Sequence, residues 1–590
     1  MLKPTMALTA SLFLAAAAVA APAMAADAGA PGMASAAQTV PDILSSKQKQ
    51  YYSQVLAAIR GERWAEAQAL LAGADDDGPL DDFLRAEYWL AANSPRAEVS
   101  DLMPILSRSP WLPQAAQLGR LATRRGATDL PSLPPEVSLS WSGSAPRRLG
   151  ADTVSDPFAA GLASSIPDRI KNDDPAGAEA LLNRVIDKLS PAARAEWTQK
   201  VAWSYYIEND DANALRLARD CTGGRGAWAT QGAWVEGLAS WRTGDYRGAL
   251  LAFDRVAREA PDSELRAAGY YWSARAAIAV GQPELVQPRL RAAAANQETL
   301  YGLLALETLG EEPKSQREDL RPDRSAWRAL EKQPNVRAAM ALAEIGEDGY
   351  AGEALRHQAK IGDPRQHEQL IGISEALSLP ETQLWLAHNT PQGRRLAAST
   401  RYPQPNWQPA GGWKVDPALV FAHTLQESRF QRAAVSPAGA YGLMQVRPGT
   451  AGDIARWDGD KIKAALSDLK TPEVNMDLGQ RYLQYLSRES ATGGLLPKVI
   501  AAYNAGPAPV ARWETEVHDN NDPLLYMESI PYWETRGYVG TVLRNYWMYE
   551  AQQGKPSDSR AALAQGKWPR FPDGKDRIRL TAVGGLGHAD

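Results

Sequence analysis

The sequence predicts an all-α protein with at least two structural units, and three observations say so. Between residues 41 and 332, apolar residues recur at three and four positions, the period of helices packed on one face. Few segments alternate with the two-residue period of a strand. The 590 residues exceed what one hydrophobic core ordinarily serves, so the chain divides. A content of 44% hydrophobic and 23% charged residues is that of a folded protein.

At the N-terminus, Lys3 precedes an apolar run over 8–21 that only Thr9 and Ser11 interrupt, and Ala23-Met24-Ala25 supplies a small-x-small cleavage site. Residues 1–25 therefore read as a secretory signal, with the mature chain starting near Ala26 in the periplasm of a Gram-negative cell. No cysteine directly follows the cleavage site, so no lipid anchor is expected there. No later stretch has the roughly 18 apolar residues of an integral membrane span.

A formal net charge of -5 argues against a nucleic-acid partner, which calls for a basic field. The single cysteine, Cys221, allows no intramolecular disulfide and too few thiols for a cysteine-ligated zinc site, and it reads as a small structural residue. Asp75-Asp76-Asp77-Gly78 reads as a solvated turn, because Pro79 and Leu80 fall where a calcium loop needs a ligand and a turn glycine. Neither a metal nor another cofactor is expected.

Along 41–332, helices are predicted at 46–60, 64–72, 175–188, 212–219 and 265–280, joined by polar turns. Gly237, Gly244, Tyr246, Ala249, Phe253 and Pro261 have the small, aromatic and turn spacing of a tetratricopeptide-like hairpin. Small residues let its two helices approach while Phe253 fills the space between pairs. Stacked hairpins make a superhelix with an extended binding surface. The 19 tryptophans fit core positions better than ligand platforms. Residues 130–157, rich in Pro, Ser and Gly, read as an exposed crossing between helical layers. Residues 333–405 read as a helical linker domain, closed by Tyr402-Pro403-Gln404-Pro405-Asn406. A new domain then spans 406–552, and 553–590 reads as a polar, loosely ordered tail.

In the 406–552 domain, Asp416 and Pro417 are an N-cap and first-turn pair, and the apolar run over 418–425 continues as a helix. Glu427 falls near its end, on a face shared with Val420, His423 and Thr424. Burial and the negative end of the helix dipole both favour a protonated carboxyl there, able to donate to a glycosidic oxygen. A surface glutamate paired with Arg429 or Arg432 remains open from spacing alone. The loop from Ser436 to Gln445 holds two glycines that let backbone groups approach a ligand, with Met444 offering an apolar contact and Gln445 an amide. Tyr503 and Asn504 lie exposed near a helix end stopped by Gly506-Pro507.

Glu427-Ser428, the 436–445 loop, Ala502-Tyr503-Asn504-Ala505-Gly506, and Glu528-Ser529-Ile530-Pro531 through Glu534-Thr535-Arg536-Gly537-Tyr538-Val539 together resemble the soluble lytic transglycosylase family. The long helical N-terminal region is similar to the ring-shaped superhelix of that family's large periplasmic members. The resemblance implies a lysozyme-like, mainly helical catalytic domain acting on peptidoglycan glycan strands. It implies cleavage between N-acetylmuramic acid and N-acetylglucosamine, with Glu427 as acid and then base and a 1,6-anhydromuramoyl product. It carries Ser436, Met444, Gln445, Tyr503 and Asn504 over as substrate-binding residues, with Tyr503 assisting charge at the reacting centre. Glu528 is carried over as lining the cleft or holding its loop, with a structural salt bridge as the other reading. Glu534 and Arg536 read as a structural pair and Asn475 as a helix N-cap. Cell-wall synthesis or secretion machinery are the partners in view. A hydrolytic muramidase, using a second carboxylate such as Asp453 or Glu528, and a glycan-binding scaffold are the competing readings.

Overall fold

The computed structural model describes residues 40–73, 78–143, 145–222, 226–313, 320–322, 324–394, 396–457 and 468–572. The expected secretory signal and the Asp75-Asp76-Asp77 turn lie outside them. By contact the chain forms two compact units, each made of two separated stretches: Met1–Gly143 with Glu318–Asn406, and Ser144–Arg317 with Trp407–Asp590. This grouping cuts across the contiguous boundary expected at residue 332. Helices far apart in sequence share one core, and local periodicity does not encode such pairing.

In the first unit, Tyr52, Leu56, Phe83, Leu84, Leu102 and Leu106 from the early stretch pack with Val336, Met340, Leu355 and Ile371 from the later one. The Ser46–Arg60 and Trp64–Ala72 helices have the predicted bounds. Ser45 caps the first through a reciprocal box with Gln48, which satisfies two otherwise orphaned N–H groups. Leu139–Trp141 pairs antiparallel with Asn389–Pro391, so a short two-stranded ladder lies within the predicted crossing.

The second unit begins as a run of packed antiparallel helices, among them Ala227–Arg242, Tyr246–Glu259 and Ser263–Ala279. The tetratricopeptide-like reading holds at atomic detail. Phe253 is fully buried, and a Cβ on Gly237 would lie 2.5 Å from its ring. Trp234 and Trp272 flank that ring at centroid distances of 5.3 and 5.5 Å. Burying such a side chain is worth about 2–3 kcal/mol, and only glycine at 237 leaves room for it. Cys221 is buried against the Ala195 carbonyl, and burial pushes its thiol up to about 12, as suits a structural residue.

Helices from Pro417–Glu427 to Trp533–Gln552 complete the unit. The predicted loose tail is corrected for residues 556–572. Ser557 caps an Asp558–Ala564 helix, and Arg560 is 2% exposed with its guanidinium on Glu307. The Leu496 N–H donates to the Pro569 carbonyl, and the Phe571 N–H donates to that of Gly494. Polar composition misled because an arginine stem can be buried when its head is paired. Among the described residues, no helix is long and apolar enough to cross a membrane.

Candidate active site

Glu427 is the last residue of the Pro417–Glu427 helix. Asp416 starts that helix by accepting from the Ala418 N–H, and it also accepts the Tyr546 hydroxyl at 2.9 Å. Val420, His423 and Thr424 are fully buried, so the face that ends in Glu427 is the inner one. Glu427 itself is half-buried. Its partner is the Tyr538 hydroxyl, which donates to Oε1 at 2.6 Å, and not Arg429 or Arg432. Burial pushes its pKa up to about 7, the Tyr538 hydrogen bond opposes this, and the Glu534 charge adds to it. A carboxyl that titrates near neutrality can give a proton and take one back at one pH.

Tyr538 lies in the Trp533–Gln552 helix, which packs across the Glu427 helix. Its hydroxyl also meets His423 Nδ1 at 2.9 Å. Tyr503 stands beside both, its ring centroid 4.7 Å from that of His423, and its hydroxyl donates to the Met444 carbonyl at 2.9 Å. Burial first, and the Glu427 charge second, hold both phenols well above their ordinary pKa, so they remain donors.

The 436–445 loop is held from within and from behind. Ser436 accepts the Ala440 N–H on Oγ, and its own N–H donates to the Ala440 carbonyl. Gly442 has φ +73°, and a Cβ there would lie 2.2 Å from the Leu469 carbonyl oxygen, so the turn requires glycine. Asn475 is the clamp: Oδ1 accepts the Met444 N–H at 2.7 Å, and Nδ2 donates to the Tyr441 and Leu469 carbonyls at 2.8 Å each. The N-cap predicted for Asn475 is thereby corrected. Its helix is Pro472–Arg488, with Thr471 at the cap position, so Asn475 lies inside it.

Met444 is corrected as well. Its side chain is fully buried against Gly479, and what it gives the site is its backbone. The Gln445 amide nitrogen donates to Gly442 and Ala434 carbonyls, bracing the loop. Asn504 accepts the Thr535 hydroxyl at 2.6 Å, which ties the helix carrying Tyr503 to the one carrying Tyr538.

Glu528 is held by a different set of partners. It is buried, accepts two hydrogen bonds from Arg148 at 2.6 Å each and a third from Tyr301 at 2.6 Å. It lines a cavity of about 200 Å³ whose wall also includes Gln426, Trp533, Arg536 and Tyr538. The expected Glu534–Arg536 pair is not formed: Arg536 donates to the Ile530 carbonyl and sits over the Trp203 and Trp533 rings at 4.1 and 5.0 Å. Asp453 pairs with Arg456 one turn along. The site thus brings Glu427 and Tyr503 together with the Ser436–Gln445 loop backbone, and adds Tyr538, His423 and Asn475. Tyr538 stood in a recognised motif, but nothing local showed that it reaches Glu427.

Residues 406–525 match the transglycosylase SLT domain, so this part of the chain is a domain of that class. The chain is 33% identical over 159 residues to a soluble lytic murein transglycosylase of Salmonella typhimurium, covering 27% of this chain and 24% of the relative. It is 38% identical over 100 residues to an endo-type membrane-bound lytic murein transglycosylase A of Klebsiella pneumoniae, covering 16% of this chain and 49% of that one. The matches thus span a quarter to a half of these relatives. The crystal structure of the 70 kDa soluble lytic transglycosylase of Escherichia coli superposes with a TM-score of 0.56 at 18% identity, over 89% of this chain and 99% of that one. An inactive Glu-to-Gln mutant of a lytic transglycosylase from Pseudomonas aeruginosa gives 0.50 at 18% identity, over 87% and 90%. These two likenesses are of fold.

Proposed function

We propose that this protein is a lytic transglycosylase of peptidoglycan, exported by its leader to the periplasm, with its 406–552 domain carrying the reaction. The observation that carries the reading is Glu427: a half-buried carboxyl held by a neutral phenol, with burial lifting its pKa to about 7. The domain match and the relatives' names support it.

In this reading Glu427 protonates the glycosidic oxygen between N-acetylmuramic acid and N-acetylglucosamine, while the substrate's own N-acetyl group steadies the anomeric carbon. The resulting carboxylate then accepts the proton of the muramoyl C6 hydroxyl, whose oxygen closes the 1,6-anhydro ring. One carboxylate suffices because the substrate supplies the nucleophile, whereas hydrolysing glycosidases use two. Tyr503 and the Ser436–Gln445 loop backbone, with Gln445 and Asn504, flank the sugar. Glu528 we assign to holding the Glu528–Pro531 segment through Arg148.

The test is mass spectrometry of the soluble products after the mature protein digests sacculi, with Glu427→Gln alongside. Anhydromuropeptides from the unmodified protein alone support the reading. Reducing-end products would move the assignment to a muramidase, and no Glu427-dependent product would leave a glycan-binding scaffold.

A further inference from the structure

His423 is fully buried one turn before Glu427, in a helix whose inner face is otherwise aliphatic, aromatic or small. Nδ1 meets the Tyr538 hydroxyl at 2.9 Å, and that hydroxyl meets Glu427 Oε1 at 2.6 Å. Nε2 is buried with no hydrogen-bond partner among the described residues. The three side chains form one chain of hydrogen bonds with a single phenolic proton at its centre, so the chain has only two directions. In one, His423 Nδ1–H donates to the tyrosine oxygen and the tyrosine proton points at Glu427. In the other, Glu427 donates from Oε1, the tyrosine proton points at Nδ1, and the imidazole carries its hydrogen on Nε2.

The two directions differ at the reacting oxygen. When Tyr538 donates to Oε1, an acid proton on Glu427 must sit on Oε2, the oxygen left for a substrate. When Oε1 donates to Tyr538, that proton is turned away from the substrate. The second direction also strands a buried N–H without a protein acceptor, whereas the first leaves only an unpaired lone pair, the lesser penalty.

We propose that His423 is a positioning residue which, as the neutral Nδ1–H tautomer, fixes the direction of the Tyr538 hydrogen bond and so places the transferable proton of Glu427 on Oε2. Burial lowers the imidazole pKa to about 3, so it stays neutral throughout the range in which Glu427 titrates. The titratable groups that face this chain are Tyr503, beside His423 and Glu427, and Glu534, whose charge reaches Glu427. Neither competes for the Tyr538 proton. The kinetic part rests on the acid and base role proposed for Glu427, but the tautomer does not.

The first measurement is nitrogen NMR of the full-length mature protein labelled with 15N-histidine, with His423→Asn used to assign the signal. A neutral Nδ1–H imidazole unchanged from pH 5 to pH 8 is expected. An Nε2–H tautomer or a cationic ring overturns the proposal, whether or not the protein turns over glycan. The second is turnover. His423→Leu is expected to lose about tenfold in kcat with KM kept, and to move the pH profile, while His423→Asn, which places an amide N–H near the Nδ1 position, recovers most of the rate. A Leu variant within twofold of the parent, or Leu and Asn variants equally impaired, overturns it. Absence of any product from the parent alongside the expected tautomer would sink only the enzymatic reading.

Discussion

Glu427 and Glu528 are two sheltered carboxyl groups of one unit, and each accepts a tyrosine hydroxyl at 2.6 Å. They differ in what else is present. Glu528 has the Arg148 guanidinium in a two-pronged grip, with Arg148 also stacked at 4.6 Å over Trp234. Glu427 has a phenol, a neutral imidazole behind it and the Glu534 charge nearby. A buried carboxylate with a cation is a fastener, because the charge it must keep is balanced. Without one, it is left near its titration point, free to exchange a proton. Residue type and burial alone do not separate the roles, and the third partner does.

The comparison breaks most visibly if Glu427 is dispensable. Glu427→Gln is expected to lower turnover of sacculi by about 10³-fold or more with the fold kept, read as anhydromuropeptide release beside a thermal melt. Next, Arg148→Met, which leaves Glu528 buried without its cation, is expected to destabilise the protein by about 3–5 kcal/mol in denaturant titration. Glu528→Gln, which leaves the Arg148 guanidinium without its counter-ion, is expected to destabilise comparably and to keep kcat at temperatures below its melt.

A smaller effect sharpens the other side. Tyr538→Phe removes the interaction that lowers the Glu427 pKa, so the alkaline limb of kcat/KM against pH, expected near 7 in the parent, should move up by about one unit.

A further effect concerns stability. The folded pKa of Glu427, about 7, lies above its ordinary 4.5, so the folded state binds more protons in between. Its contribution is therefore favourable below pH 4.5 and is lost as pH rises through 7. Glu427→Gln is expected to melt above the parent at pH 8 and together with it at pH 4.

What the sequence made legible was local. Helix extents at 46–60 and 64–72 agree because apolar spacing is written within each helix, and the first also carries its Ser45–Gln48 cap. Gly237 and Phe253 were readable because one repeat unit contains both. Glu427 on a buried face followed from counting residues back along its helix. Asn475 was misread because asparagine shortly before an apolar run is also what a helix start looks like, while two of its partners, Tyr441 and Met444, come from a turn far back in the sequence and the third, Leu469, from the segment just before its helix. Arg148 lies 380 residues before Glu528, so no local spacing could choose between lining a cleft and forming a salt bridge. The inward Met444 side chain was hidden for a similar reason: Gly479, the hollow it fills, sits on the Pro472–Arg488 helix, far along the sequence from the Met444 turn.

The pairing of Gly494 and Leu496 with Pro569 and Phe571 bears on how the protein can be cut for laboratory use. An expression boundary at residue 552 would unlace the start of the helix that presents Tyr503 and Asn504. A fragment meant to stand alone must run through 572, and a purification handle belongs beyond that point.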